Sequence, residues 1–171
     1  EAGEGGAGAP AAGVRAVTAA PLIDDADPAK SERACADAER SLAQIQEAGS
    51  ELARPGFAPH AIYSLSEKSL RWVAERSAEL EIPVQIHLSE TEDEVTGCVQ
   101  RTAERPGAYL ARLGLLSPRL VLAHGVWMEE PELELVAEHG ATVVTNPVST
   151  LKLAVWRIFP YVQVRTPGIP V

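Results

Sequence analysis

The sequence predicts an α/β protein built on a parallel sheet, a partial (β/α)8 TIM barrel. Three observations point there. Strand-like and helix-like segments alternate along the chain. Several strand segments are continuously apolar, as suits strands of a parallel sheet covered by helices. Three of the four histidines, and Asn146, directly follow strand segments, and a barrel gathers its chemistry on the rim where strands end. An open doubly wound sheet fits the alternation too. A dinucleotide-binding sheet, however, needs a Gly-rich turn after its first strand, and here A-A-P-L-I-D follows Val14–Thr18.

The elements are expected in this order. Residues 1–13, rich in Gly and Ala, read as a frayed or disordered start, and 14–171 as the barrel-related domain. Val14–Ala20 is a strand. Asp27 is an N-cap with Pro28 at the first helical position, and the helix runs to about Ser50 with Ala34, Ala38, Leu42 and Ile45 on one face. Gly56–His60 is a short apolar segment. Ser66 caps the next helix, whose stripe is Leu70, Val73, Ala74 and Leu80, with Trp72 packing beside it. Pro83 ends that helix, and Val84–Leu88 is a strand.

Thr91 and Glu94 match a capping box, T-x-x-E, opening a helix that lasts to the break at Arg105-Pro106. Glu92, Asp93 and Glu94 are expected only to favour the helix dipole. A second helical piece carries Tyr109, Leu110 and Leu113. Arg119–His124 is a strand. Pro131 lies in the first turn of a helix ending at His139-Gly140, and the acidic stretch 129–134 reads as its solvated start. Ala141–Thr145 is a strand, N-P-V-S-T a polar break, and G-I-P-V the entry to another strand. Strand candidates therefore lie near residues 14, 57, 84, 120, 142 and 169.

Net charge is −9 with no Lys/Arg cluster, which argues against nucleic acid and anionic membrane as main partners. No apolar run approaches the ~20 residues of a membrane span. The first residues hold neither a basic n-region nor an apolar h-region, so no signal peptide is expected. Cys35 and Cys98 lack C-x-x-C spacing, and two distant thiols suit a reducing compartment, with cytoplasm the expectation.

Neutral imidazole binds Zn²⁺ or Fe²⁺ well, and a strand end holds it rigidly. His87 and His124 follow what would be successive strands, so they can converge. H-x-x-E at a strand–helix junction turns Glu90 toward the same rim, where a carboxylate can move protons. A single such histidine is as well read as a half-buried residue bonded to backbone; three aligned at strand ends favour a site. Asn146 opens a loop able to contact substrate, although Asn-Pro also starts ordinary turns. Ser149 and Thr150 read as turn residues. Trp127 can stack on a flat ring or pack under its loop.

The ordered motifs A-P-H-A-I-Y-S (58–64), I-H-L-S-E-T (86–91), L-A-H-G-V (122–126) and N-P-V-S-T-L-K-L-A (146–154) resemble the amidohydrolase superfamily. The likeness is greatest to the metal-dependent deaminases of the methylthioadenosine/S-adenosylhomocysteine deaminase and triazine/chlorohydrolase group. It covers the chain from about Val14 onward. The resemblance implies a (β/α)8 barrel with one divalent metal, Zn²⁺ first and Fe²⁺ second, at the strand C-termini. His87 would be the metal ligand from strand five. Glu90 would shuttle protons and hold a substrate ring nitrogen. His124, from strand six, would orient the attacking water and stabilise its developing charge. His60 would contact substrate, and Trp127 and Asn146 are candidate substrate contacts.

Three features depart from that family. No H-x-H is found, whereas the family carries one on strand one. The Gly-Thr-Asp turn that bears a metal-binding Asp on strand eight is also lacking. The family's S-N and glycine are replaced by Ser149-Thr150 and Trp156. The expectation is an internal fragment holding strands three to seven and the entry to strand eight, with weak metal binding and no activity alone, and with exposed sheet edges. The longer parent is expected to deaminate a small aminopurine- or pterin-like ring by metal-activated water, with a homo-oligomer as an allowed assembly. The alternatives are a chlorohydrolase or amide hydrolase of the same superfamily, or a truncated, non-catalytic chain.

Overall fold

The computed structural model describes residues 12–171. The expected loose start therefore lies outside the described residues except at Ala12 and Gly13. Seven short strands are present: β1 (Ala16–Thr18), β2 (Pro21–Leu22), β3 (Ala53–Pro55), β4 (Ala58–Pro59), β5 (Val84–Leu88), β6 (Leu120–His124) and β7 (Thr142–Val144). The helices are α1 (Ser31–Glu47), α2 (Glu67–Leu80), α3 (Glu92–Thr102), α4 (Pro106–Arg112), α5 (Glu130–Glu138), α6 (Pro147–Lys152) and α7 (Tyr161–Arg165).

All pairings are parallel and follow chain order. β1 pairs with β3, β2 with β4, and β5–β6–β7 form one sheet. Parallel bridges Phe57↔Val84 and Ala61↔His87 join the β4 segment to β5. The result is an open arc of parallel strands, without barrel closure among the described residues.

The strand expected over Val14–Ala20 is shorter, β1, with β2 just beyond it, and the segment expected over Gly56–His60 keeps only β4 with β3 just before it; proline interrupts both. Pro21, Pro55 and Pro59 have no N–H for the ladder. Gly56 keeps the halves together. It donates to Thr18 O at 3.1 Å, and a Cβ there would lie 2.7 Å from Val17 Cγ1. The final segment forms no strand, yet Pro170 O accepts the Val143 N–H at 3.0 Å. Asp27 caps a turn rather than α1: its Oδ1 accepts from Ala29 N, and Lys30 is the helix N-cap. The helix cannot start earlier because residues 27–30 already form hydrogen-bonded turns.

Helices cover one face of the arc. Val84, Ile86, Leu88, Leu120, Leu122 and Val143 pack in one core with Leu70, Val73, Leu110 and Val136. The opposite face is partly open, with Gln85 exposed and Val17 and Val144 at 60% and 42% exposure. So the apolar runs do not mean burial on both faces here. Leu120 is fully buried. Leu120→Ala is expected to cost about 2–5 kcal/mol, read as a lower urea midpoint at unchanged m.

Buried carboxylates tie the strand-end loops to the helix starts. Asp24, after β2, accepts from Ser66 N (2.7 Å), Ser66 Oγ (2.5 Å) and Ser69 Oγ (2.7 Å) at the head of α2. Glu132 is 1% exposed, which corrects the reading of 129–134 as wholly solvated. It completes a capping box with Glu129 and also accepts from Arg105 Nε (2.6 Å) and Gly107 N (2.8 Å). No helix of the described residues is long and apolar enough to cross a membrane.

Candidate active site

Three histidines meet at the C-terminal edge of the arc because neighbouring strands deliver them in register. His87 sits on β5 beside Ala123 of β6, and His124 ends β6 opposite Leu88. His60 follows β4 directly, and its backbone carbonyl accepts the His87 N–H at 3.1 Å. Ring centroids lie 5.2 Å apart for His60–His87 and 5.3 Å for His87–His124. One line of imidazoles therefore crosses three strands.

Their hydrogen bonds set which ring nitrogens carry protons. His87 Nδ1 lies 2.7 Å from His60 O. A carbonyl only accepts, so Nδ1 carries the proton and Nε2 keeps a free lone pair. His60 Nδ1 lies 2.8 Å from Ser64 Oγ, whose own proton goes to Ala61 O at 3.2 Å. Nδ1 of His60 then donates as well, and its Nε2 is the acceptor.

His124 is 3% exposed and takes φ 78°, a left-handed conformation that is costly for a residue with a Cβ. Burial pushes its pKa below the ordinary histidine value; the Glu90 charge opposes that shift and His87 adds to it. Burial thus favours the neutral form of the ring. Its Nδ1 lies 3.3 Å from Glu90 Oε1. That approach misses hydrogen-bond alignment, so this buried nitrogen has no hydrogen-bond partner.

Glu90 stands two residues beyond β5, and its Oε1 also accepts from Ser149 Oγ at 3.3 Å. The loop carrying it is pinned on several sides. Leu88 O and Ser89 O accept from Gly125 N (2.9 Å) and Trp127 N (2.8 Å). Ser89 takes φ 52°. Glu94 accepts from the N–H groups of Ser89 and Glu90, at 2.9 Å each. Burial raises the Glu94 pKa, and those two N–H groups oppose the rise. Thr91 caps α3 as expected, accepting from Glu94 N at 3.2 Å. The Glu94 carboxylate, however, reaches past the cap residue, which corrects its reading as a simple first-turn charge.

The structure thus brings His60, His87, Glu90 and His124 together. Trp127 is half-buried on the loop after β6, with the Arg157 guanidinium 4.9 Å above its ring. Asn146 is the half-buried N-cap residue of α6. No hydrogen bond or ring contact joins either to the histidines. Ser149, Glu94 and Tyr63 are neighbours that the sequence did not assign to the site. Tyr63 is 50% exposed and meets His60 edge-on at 5.8 Å. It shares a cavity of about 270 Å³ with Glu90 and Arg101.

The donor set fits part of a metal site. His87 offers Nε2 with its other nitrogen held, the usual state of a metal-binding imidazole, and His124 Nδ1 is buried without a hydrogen-bond partner. Among the described residues no group of three or more His, Cys, Asp or Glu is placed to hold a metal ion. A closed zinc site needs three or four protein ligands.

Comparison with known proteins points one way. The sequence model of the amidohydrolase family matches residues 7–158. A 5′-deoxyadenosine deaminase of Methanoregula boonei is 43% identical over 92% of this chain and 36% of its own length. A 5-methylthioadenosine/S-adenosylhomocysteine deaminase of Thermococcus kodakarensis is 34% identical over 84% of this chain and 34% of its own. The crystal structure of an adenosine deaminase from Xanthomonas campestris with bound zinc superposes with a TM-score of 0.81 at 32% identity. It covers 91% of this chain and 35% of that one. The chain spans about a third of the length of the curated relatives it matches.

Proposed function

Because this chain belongs to the amidohydrolase family, we propose that it supplies one part of the active site of a metal-dependent deaminase. The longer protein would hydrolyse an exocyclic amine from an aminopurine- or pterin-like ring, releasing ammonia. The open arc is read as strands three to seven, with the entry to strand eight, of a (β/α)8 barrel. The observation that carries this reading is the meeting of His87, Glu90 and His124 on one strand-end edge. The deaminases among its relatives support the same chemistry.

A divalent metal, Zn²⁺ by preference and Fe²⁺ otherwise, would supply Lewis-acid activation of water. His87 would hold it through Nε2, with the remaining ligands coming from outside the described residues. Glu90 would take a proton from the attacking water and deliver it to the ring nitrogen or departing amine. His124 would orient that water through the nitrogen left without a hydrogen-bond partner and stabilise the negative charge as it develops. His60 would contact substrate through Nε2. Trp127 and Asn146 would border the ring from the loops after β6 and β7.

Substitution of the proposed ligand tests the assignment. In the longer protein, His87→Ala is expected to lower bound zinc well below one per chain and to abolish ammonia release, with the melting temperature little changed. Unchanged metal content together with unchanged turnover would remove His87 from the metal site, whereas a protein that holds no zinc and releases no ammonia before substitution would favour a chain that only folds or binds a ring compound.

A further inference from the structure

Glu94 is 7% exposed, and the reaction proposed above does not use it. Burying a carboxylate is costly unless it is bonded. Its two oxygens are divided between consecutive backbone N–H groups: Oε1 accepts from Ser89 N and Oε2 from Glu90 N, both at 2.9 Å. In a capping box the glutamate returns to the N–H of the cap residue. Here the cap is Thr91, and the carboxylate passes it to reach the two residues before.

Those two residues are the ones whose geometry matters to the site. Ser89 is held at φ 52°, which turns its N–H and that of Glu90 toward one point. Successive N–H groups so directed form a concave cradle for an anion. The anion in this cradle is the chain's own Glu94. Ser89 O is taken by Trp127 N at 2.8 Å, so the loop is fixed from α3 on one side and from the loop after β6 on the other. The Glu90 side chain leaves this fixed backbone toward His124, 3.3 Å away, and Ser149, also 3.3 Å away.

We infer that Glu94 is a positioning residue for Glu90: it holds the Ser89–Glu90 backbone in the conformation that aims the Glu90 carboxylate at His124. The inference rests on the deaminase reading for its catalytic consequence, but not for the clamp itself. Helix-dipole stabilisation does not account for the arrangement, since Glu92 and Asp93 occupy the same first turn and stay exposed.

Two measurements test it, with Glu94→Gln and Glu94→Ala compared against Glu92→Gln. Hydrogen exchange on the longer protein reads the clamp directly. Glu94→Gln keeps one acceptor oxygen, and exchange at the Ser89 and Glu90 amides should rise about tenfold or more, while β5 and the interior of α3 are unaffected. Steady-state kinetics on the longer protein read the consequence. Glu94→Ala should lower kcat for an aminopurine by about 100-fold, the scale expected for a misplaced catalytic group. KM should stay within about threefold and zinc content unchanged, with Glu94→Gln intermediate and Glu92→Gln like the unsubstituted protein. Unaltered exchange at Ser89 and Glu90 would overturn the clamp. A kcat in Glu94→Ala no lower than in Glu92→Gln would overturn the positioning role. If the unsubstituted protein releases no ammonia, the deaminase reading fails, and the exchange result alone decides the clamp.

Discussion

Glu90→Gln in the longer protein is expected to lower ammonia release by about 10²–10⁴-fold, the usual contribution of a positioned acid–base group. Zinc content should not change, because Glu90 is not assigned as a ligand. The substitution is nearly isosteric and keeps an oxygen near the Ser149 hydroxyl, 3.3 Å from Oε1, but the amide cannot take up and release the proton. Metal analysis beside steady-state kinetics checks both halves. A loss below tenfold, or loss of zinc with the activity, would mean that Glu90 does something else.

The second large effect concerns stability. Glu132→Ala is expected to cost about 3–5 kcal/mol, the scale for breaking a buried ion pair from one side. The substitution strips acceptors from Arg105 Nε, Gly107 N and Glu129 N at once. The Arg105 side chain is 29% exposed, so its charge would be left only partly hydrated. For a chain of this length each kcal/mol lowers Tm by roughly 2–4 °C, so a melting curve should shift by roughly 10 °C. Glu134→Ala, on the exposed face of the same helix, should stay within about 0.5 kcal/mol. Equal effects of the two would remove Glu132 from its place in the fold.

Much of the site was legible from strand ends alone. Either histidine of I-H-L-S-E and L-A-H-G alone reads equally well as a half-buried, backbone-bonded residue, but their shared place at strand ends marks them as a set, and parallel register carries His87 and His124 together. The amidohydrolase resemblance, drawn from four short motifs, matches the family assignment of residues 7–158. Other features depend on tertiary partners. T-x-x-E reveals a helix start, but not that the Glu94 carboxylate bypasses the cap to bind Ser89 and Glu90. E-E-P-E-L-E reveals a helix start, but not that Glu132 is the one acid folded inward. Ser89 and His124 take left-handed φ values without being glycine, so no residue type marked them. Pro21, Pro55 and Pro59 were visible, and their division of the strands follows from proline's missing N–H.

Asp24, Glu94 and Glu132 share one device. Each is a buried carboxylate that accepts from at least one backbone N–H at a helix start or in the loop just before it. These loops are thereby held by charge-assisted hydrogen bonds as well as by apolar packing. The region after β7 is built differently. Leu151, Trp156 and Ile158 are 80%, 96% and 89% exposed, and among the described residues nothing covers them.

The most direct test of the central claim is ammonia release by the longer protein, loaded with zinc, from a panel of aminopurines that includes 5′-deoxyadenosine and guanine. Ammonia formed from at least one of them, and lost on Glu90→Gln, is the predicted result. No ammonia from any of them, or chloride released from a chlorotriazine in its place, would contradict it.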